Sequence, residues 1–222
     1  MEESKKEWFQ KSVEEVKEEF KVTEKQGLSD EQITKNRQTY GTNELAAKKK
    51  KSLFVKFLEQ FKDLLVGILI VAAIISMFSG EIESTIVIFA VIILNAILGT
   101  VQHFKAEKSL ASLKSLSSPT AKVLRNGVKI EIPSAEVVPG DIVFLEAGDM
   151  VVADGRILEN YSLQVNESSL TGESENVTKI AEKINQDKLP LGDQKNMVFS
   201  GSFITYGRAV MVVTSTGMNT NW

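Results

Sequence analysis

The sequence predicts an α+β membrane protein in which a helical N-terminal leader precedes a two-helix transmembrane hairpin and a β-rich domain follows it. Three observations predict this. Two uncharged apolar runs, Leu64–Phe78 and Ser84–Val101, stand in tandem with only Ser79-Gly80-Glu81-Ile82-Glu83 between them. The residues before them are polar and carry helix-capping signals. Beyond Pro119 the chain changes to short apolar runs punctuated by Asn126-Gly127, Pro139-Gly140, Gly148-Asp149 and Asp154-Gly155. These are the patterns of membrane helices, solvated helices and antiparallel strands, respectively.

The leader, residues 1–52, reads as helical. Ser29-Asp30-Glu31-Gln32 is a capping box, in which serine and glutamine each satisfy the other's backbone N–H, and Tyr40-Gly41 stops the helix. Lys48-Lys49-Lys50-Lys51 follows, a run suited to anionic lipid and to setting topology. Leu53, Phe54, Phe57, Leu58 and Phe61 then fall on one helical face, as in a helix lying in the membrane interface.

The first apolar run has 15 residues and the second 18. As a helix the first spans roughly 22 Å, against a hydrocarbon core of about 30 Å. The alternative is a pair of core helices in a soluble two-domain protein. The flanking charges favour the membrane. Lys48–Lys51, Lys56 and Lys62 precede the pair and Lys105, Lys108 and Lys114 follow it, whereas the connection carries Glu81 and Glu83 and no Lys or Arg. Positive-inside logic puts the N-terminus and the β-rich domain in the cytoplasm of a multi-pass membrane protein. The interfacial helix and hairpin occupy 53–101. Residues 102–118 continue as an amphipathic stalk helix that Pro119 closes.

Residues 119–222 read as strands and turns. Ala121–Arg125 and Val128–Ile132 around Asn126-Gly127 form a hairpin signal. Further strands are expected at Ile142–Glu146, Arg156–Glu159, Leu163–Val165, Met197–Ser200 and Ala209–Thr214.

Composition excludes several functions. The net charge is −3, too near neutral for a nucleic-acid surface. With no cysteine there is no disulfide, thiolate metal site or cysteine nucleophile, and the single histidine, His103, cannot build an imidazole cluster or a Ser-His-Asp triad. The start Met1-Glu2-Glu3-Ser4-Lys5-Lys6 lacks a signal-peptide pattern. Asn95 and Gln102, in or just beyond the second run, offer interhelical hydrogen bonds or contact with an ion. No charged residue lies inside either run, so this segment holds no metal-ligand set.

The sharpest local feature is Thr171-Gly172-Glu173-Ser174. With it stand Val138-Pro139-Gly140-Asp141, Gly148-Asp149, Ala153-Asp154-Gly155-Arg156, Phe199-Ser200-Gly201-Ser202 and Gly207. In the leader stand Gly27-Leu28-Ser29 and Tyr40-Gly41-Thr42-Asn43-Glu44-Leu45. Together these residues resemble the P-type cation-transporting ATPases along nearly the whole chain. The resemblance implies a fragment comprising their N-terminal leader, first two membrane helices and actuator domain. Two positions depart from the family pattern: Val152 replaces proline and Asn166 replaces aspartate. Both bear on local rigidity and not on the chemistry.

The family forms an aspartyl-phosphate, and the resemblance implies that the actuator loop promotes its hydrolysis. Glu173 would orient and partly deprotonate a water in line with phosphorus. Gly172 would let the backbone approach the phosphoryl group, and Thr171 and Ser174 would fix the loop or the phosphate oxygens. The acceptor motif Asp-Lys-Thr-Gly-Thr begins at none of the seven aspartates, and no glycine-rich nucleotide loop is present. ATP and Mg2+ would therefore serve the complete pump, with no cofactor bound by this fragment, which alone should be inactive. The implied partners are a lipid membrane, the remaining pump domains and a transported cation. The segment from Thr171 to Lys179 and Asn95-Ala96-Ile97-Leu98-Gly99 followed by Gln102 look most like calcium pumps, and the lack of a Cys-x-x-Cys leader argues against the copper and zinc branch. The competing reading is a standalone membrane-anchored binding or regulatory protein in which the loop is vestigial.

Overall fold

The computed structural model describes residues 7–46, 51–116 and 118–221. The acidic start, Lys48–Lys50 and Trp222 lie outside the described residues, as do the side chains of Lys114 and Leu116. In chain order the elements are α1 (Val13–Phe20), α2 (Asp30–Tyr40), α3 (Leu53–Glu59), α4 (Leu64–Phe78), α5 (Ile82–Leu116), β1 (Thr120–Arg125), β2 (Val128–Pro133), β3 (Ile142–Glu146), β4 (Asp154–Asn166), α6 (Ser168–Thr171), β5 (Asn176–Thr178), β6 (Met197–Val198) and β7 (Phe203–Ser215). They form two compact units: Met1–Ala46 with Ser118–Trp222, and Ala47–Ser117.

In the first unit the strands make one antiparallel sheet of order β2-β1-β3-β7-β4-β5, with β6 paired to β4. The β1–β2 hairpin turns at Asn126-Gly127, whose φ angles of 51° and 74° are those of a tight primed turn. Strands alternate faces every residue. Val143, Leu145, Met211 and Val213 therefore join one buried cluster with Val123, Ile157 and Val165. Ile142, Val210 and Val212 join a second, on the opposite face, with Val16, Leu28 and Ile33 of the leader. A sheet covered on both faces explains why Ala209–Val213 of β7 is an unbroken apolar run.

The leader is part of this unit's core. Its capping box forms as read: the Ser29 hydroxyl accepts from the Gln32 N–H, and the Gln32 side chain accepts from the Ser29 N–H at 2.9 Å. Leu28 is fully buried. Beside it Gly27 has φ +65°, and a Cβ there would lie 1.7 Å from the Leu124 carbonyl oxygen. Only glycine permits that approach of leader to β1. Asn36 donates to the Pro139 carbonyl at 2.8 Å, and Asn43 donates to the Ser134 and Val152 carbonyls. The Asn43 side-chain oxygen accepts from the Gly217 N–H.

One expected pair of strands is a single strand, and one expected strand is longer than read. Arg156–Glu159 and Leu163–Val165 belong to the 13-residue β4, and Ala209–Thr214 is the end of the 13-residue β7. The polar stretch at Tyr161-Ser162 is absorbed as an irregularity, with Ser162 at φ 56° and shifts of register against β7.

In the second unit α4 coincides with the first apolar run and α5 contains the second. Residues 102–116 continue the same helix, as read: α5 runs unbroken for 35 residues, about 52 Å. Among the described residues one helix, over Ile82–Leu113, is long and apolar enough to cross a membrane. The stretch Leu53–Lys62 and α4 meet that measure only as a pair bent by 75°. α4 and α5 pack on each other. Val66 and Ala73 on α4 and Thr85, Ile92 and Ala96 on α5 become buried, spacings that mark one face of each helix. The other faces remain apolar and exposed, including Leu64, Ile68, Phe78, Ile86 and Leu94. Lys56 of α3 forms an ion pair with Glu107 of α5, and His103 lies 3.6 Å from the same carboxylate. Asn95 is half-buried and Gln102 exposed.

Candidate functional site

The Thr171–Ser174 segment begins where β4 ends. Asn166, the last residue of the strand, accepts through its side-chain oxygen from the Ser168 N–H at 3.1 Å and the Ser168 hydroxyl at 2.6 Å. Those bonds turn the chain into the single helical turn α6. The Glu167 carbonyl then accepts from the N–H groups of Leu170 and Thr171, at 2.9 and 3.0 Å, and from the Thr171 hydroxyl at 3.3 Å. Gly172 closes the turn in the left-handed region, φ +76°, donating to the Ser168 carbonyl at 3.0 Å. A Cβ at Gly172 would meet nothing within 4 Å, so backbone conformation selects glycine here.

Beyond the glycine the backbone is still held. The Thr171 hydroxyl oxygen accepts from the Glu173 N–H at 3.2 Å, and the Asn166 side-chain amide donates to the Ser174 carbonyl at 3.2 Å. An aspartate at 166 has no donor for that second bond, so Asn166 adds a tie to the loop. The chain then returns as β5, pairing Asn176–Thr178 with Gln164–Asn166. The result is a fixed backbone with exposed side chains: Thr171, Gly172, Glu173 and Ser174 all face solvent. Glu173 lines a cleft of about 750 Å³ together with Thr171, Asn176, Leu191 and Lys195.

Under the exposed loop lies a buried ion pair that sequence reasoning did not find. Lys179 follows β5 and Glu167 precedes α6, and their charged groups meet with side chains 0% and 1% exposed. The Lys179 N–H donates to the Leu163 carbonyl and its carbonyl accepts from Asn160, at 2.9 and 2.7 Å. The Phe199 ring lies under the ammonium, centroid 5.8 Å away. Burial pushes the Glu167 carboxyl up from its ordinary range and the Lys179 ammonium down, each opposed by the partner's charge. Nothing in the local pattern distinguishes Lys179 from a solvated surface lysine.

The other family-like residues are structural in this geometry. Asp141 is fully buried and bidentate to Arg125, at 2.9 and 2.7 Å, and accepts from the Val138 N–H at 2.9 Å. Asp154 accepts from the Ser200 N–H and twice from Asn221. Arg156, buried, donates to the carbonyls of Ile157, Asn196 and Lys11, and burial lowers its guanidinium to about 10. Among the described residues no group of three or more His, Cys, Asp or Glu side chains could hold a metal ion. The arrangement presents the exposed Glu173 carboxylate on a backbone fixed from both sides, with those of Glu175 and Asp193 lining the same cleft. Such a group can accept a proton from a water held against an incoming electrophile.

Residues 115–222 match the P-type ATPase actuator domain, and residues 8–76 match the N-terminus of cation transporters/ATPases. A calcium-transporting ATPase of Listeria monocytogenes is 48% identical over 96% of this chain and 24% of its own length. Calcium-transporting ATPase 1 of Bacillus cereus is 44% identical over 96% of the chain and 24% of its own. An endoplasmic reticulum-type calcium-transporting ATPase of Arabidopsis thaliana is 42% identical over 95% and 21%. The chain spans about a quarter of the length of the curated relatives it matches.

Proposed function

Because the chain belongs to the P-type cation-transporting ATPases, we propose that it supplies the leader, first membrane segment and dephosphorylating loop of an ATP-driven pump, and that the pumped ion is calcium. The observation that carries the reading is Glu173: an exposed carboxylate whose main chain is tied to Thr171 and whose neighbour Ser174 is tied to Asn166. A loop held in this way loses little entropy when it docks against a phosphorylated aspartate of another domain. Glu173 holds a water in line with phosphorus and takes its proton. The water oxygen bonds to phosphorus as the bond from phosphorus to the aspartyl oxygen breaks, releasing inorganic phosphate and regenerating the carboxylate. ATP and Mg2+ would be held by other parts of the pump: the sequence has no glycine-rich phosphate loop, and among the described residues no group of three or more His, Cys, Asp or Glu side chains could hold a metal ion. Calcium is favoured because these relatives are calcium-transporting ATPases.

The same reading takes α4 and α5 as a two-helix transmembrane hairpin with its ends in the cytoplasm. Its support is the apolar surface left exposed on both helices and the lysines flanking them. The testing experiment uses the complete pump and Glu173→Gln. Phosphoenzyme should form from ATP as in the parent and decay more slowly by a factor on the order of 10². Decay at the parental rate would remove Glu173 from the chemistry.

A further inference from the structure

We propose that the buried Glu167–Lys179 ion pair is a positioning device, which holds the two feet of the Thr171–Ser174 loop together and so fixes where the Glu173 carboxylate stands. The pair joins the residue before α6 to the residue after β5, closing the loop at its base. From that base a short series of bonds leads to the functional group. Lys179 holds the Glu167 carboxylate; the Glu167 carbonyl accepts from the Thr171 N–H and hydroxyl; the Thr171 hydroxyl accepts from the Glu173 N–H. Lys179 is itself pinned at both backbone groups by Leu163 and Asn160, on the long strand β4. The series therefore runs from the sheet to the loop tip.

Stability is a poor explanation for the pair. Taking two charges out of water costs several kcal/mol each, and replacing a buried pair by apolar side chains of similar volume is often neutral or stabilising. Here burial opposes the charged form of both groups, and the second carboxylate oxygen of Glu167 is buried with no hydrogen-bond partner among the described residues. What an apolar pair cannot supply is direction. A packed leucine and methionine leave the Glu167 carbonyl free to swing with its side chain, whereas a lysine reaching one carboxylate oxygen sets that residue's orientation.

This role rests on the reading of Glu173 for its purpose, and the experiment separates the two. In the full chain in detergent, Glu167→Leu with Lys179→Met should keep the parental melting temperature, while amide exchange across Gly172–Ser174 becomes at least about tenfold faster. Parental exchange in a folded double variant overturns the proposal. If that variant does not fold, Lys179→Arg, which keeps the cation, is compared with Lys179→Gln. Slow exchange only in the arginine variant supports the tie, and equal exchange in both overturns it. In the complete pump the double variant should form phosphoenzyme normally and lose it roughly ten- to a hundredfold more slowly; parental decay overturns the positioning role. Exchange is read with no phosphorylated partner present. A failure of Glu173→Gln to slow decay would thus remove the catalytic reading and leave the exchange result standing.

Discussion

Replacing Asp141 by alanine tests what its buried ion pair with Arg125 contributes to the stability of the β-rich unit. The carboxylate is fully buried, accepts twice from Arg125 at 2.9 and 2.7 Å, and accepts from the Val138 N–H at 2.9 Å. Removing it leaves the Arg125 guanidinium, 8% exposed, with the Glu136 carbonyl at 3.0 Å as its remaining partner among the described residues. Breaking one partner of such a pair costs about 3–5 kcal/mol, because the remaining charge stays out of water. For a unit of about 150 residues, 1 kcal/mol moves the melting temperature by about 2–4 °C, so Asp141→Ala should lower it by roughly 6–20 °C. The shift is measured on the full chain in detergent by near-ultraviolet circular dichroism, to which Trp8, stacked on Phe20 at 5.0 Å, contributes. Arg125→Met with Asp141→Leu removes both charges and should recover most of the loss. A fall of less than about 2 °C in Asp141→Ala would refute the reasoning, since the buried guanidinium would then have found another partner or water.

Two further outcomes follow from the same structure. Lys179→Met removes the charge that holds the Glu167 carboxyl down and leaves burial, which raises it. A carboxyl raised above its unfolded value of about 4.3 contributes stability that is present at lower pH and lost as pH rises through the folded value. Lys195, whose charge also acts on this site, is unchanged by the substitution. The variant should therefore lose melting temperature relative to the parent between pH 5 and pH 8, and a difference constant over that range would contradict it. The chain has no cysteine, so single cysteines report topology directly. In intact cells an impermeant maleimide should label Glu81→Cys and should reach Lys188→Cys only after lysis. Labelling of Lys188→Cys in intact cells would overturn the orientation.

Much of the fold was legible because it follows from local chemistry. Ser29 and Gln32 cap α2 in the manner their spacing requires, and Asn126-Gly127 turns the first hairpin because both residues tolerate positive φ. The uncharged run Leu64–Phe78 is α4 to the residue. Boundaries failed where a local signal was overruled. Tyr161-Ser162 and Gly207 are local strand-breaking signals, yet the sheet carries β4 and β7 through them, because pairing along the rest of each strand outweighs a local irregularity. By contrast, the polar stretch from Gln102 continues α5 as read, since polarity on a helix face changes its surroundings without breaking its backbone bonds. The leader was read as a helical segment apart from the β-rich region; in the structure Leu28 and Ile33 fill one face of its sheet.

By itself the sequence determined the elements, the loop Thr171–Ser174 and the family, since caps, turns and a contiguous motif are short-range properties of neighbouring residues. It could not say which of 26 basic side chains is buried. That depends on distant segments converging. Lys179 is covered because β4, the residue before α6 and Phe199 meet around it, and Arg125 because the Pro139-Gly140-Asp141 turn folds over β1. Burial of a charge is a property of the assembled packing, and only the tertiary structure decided it.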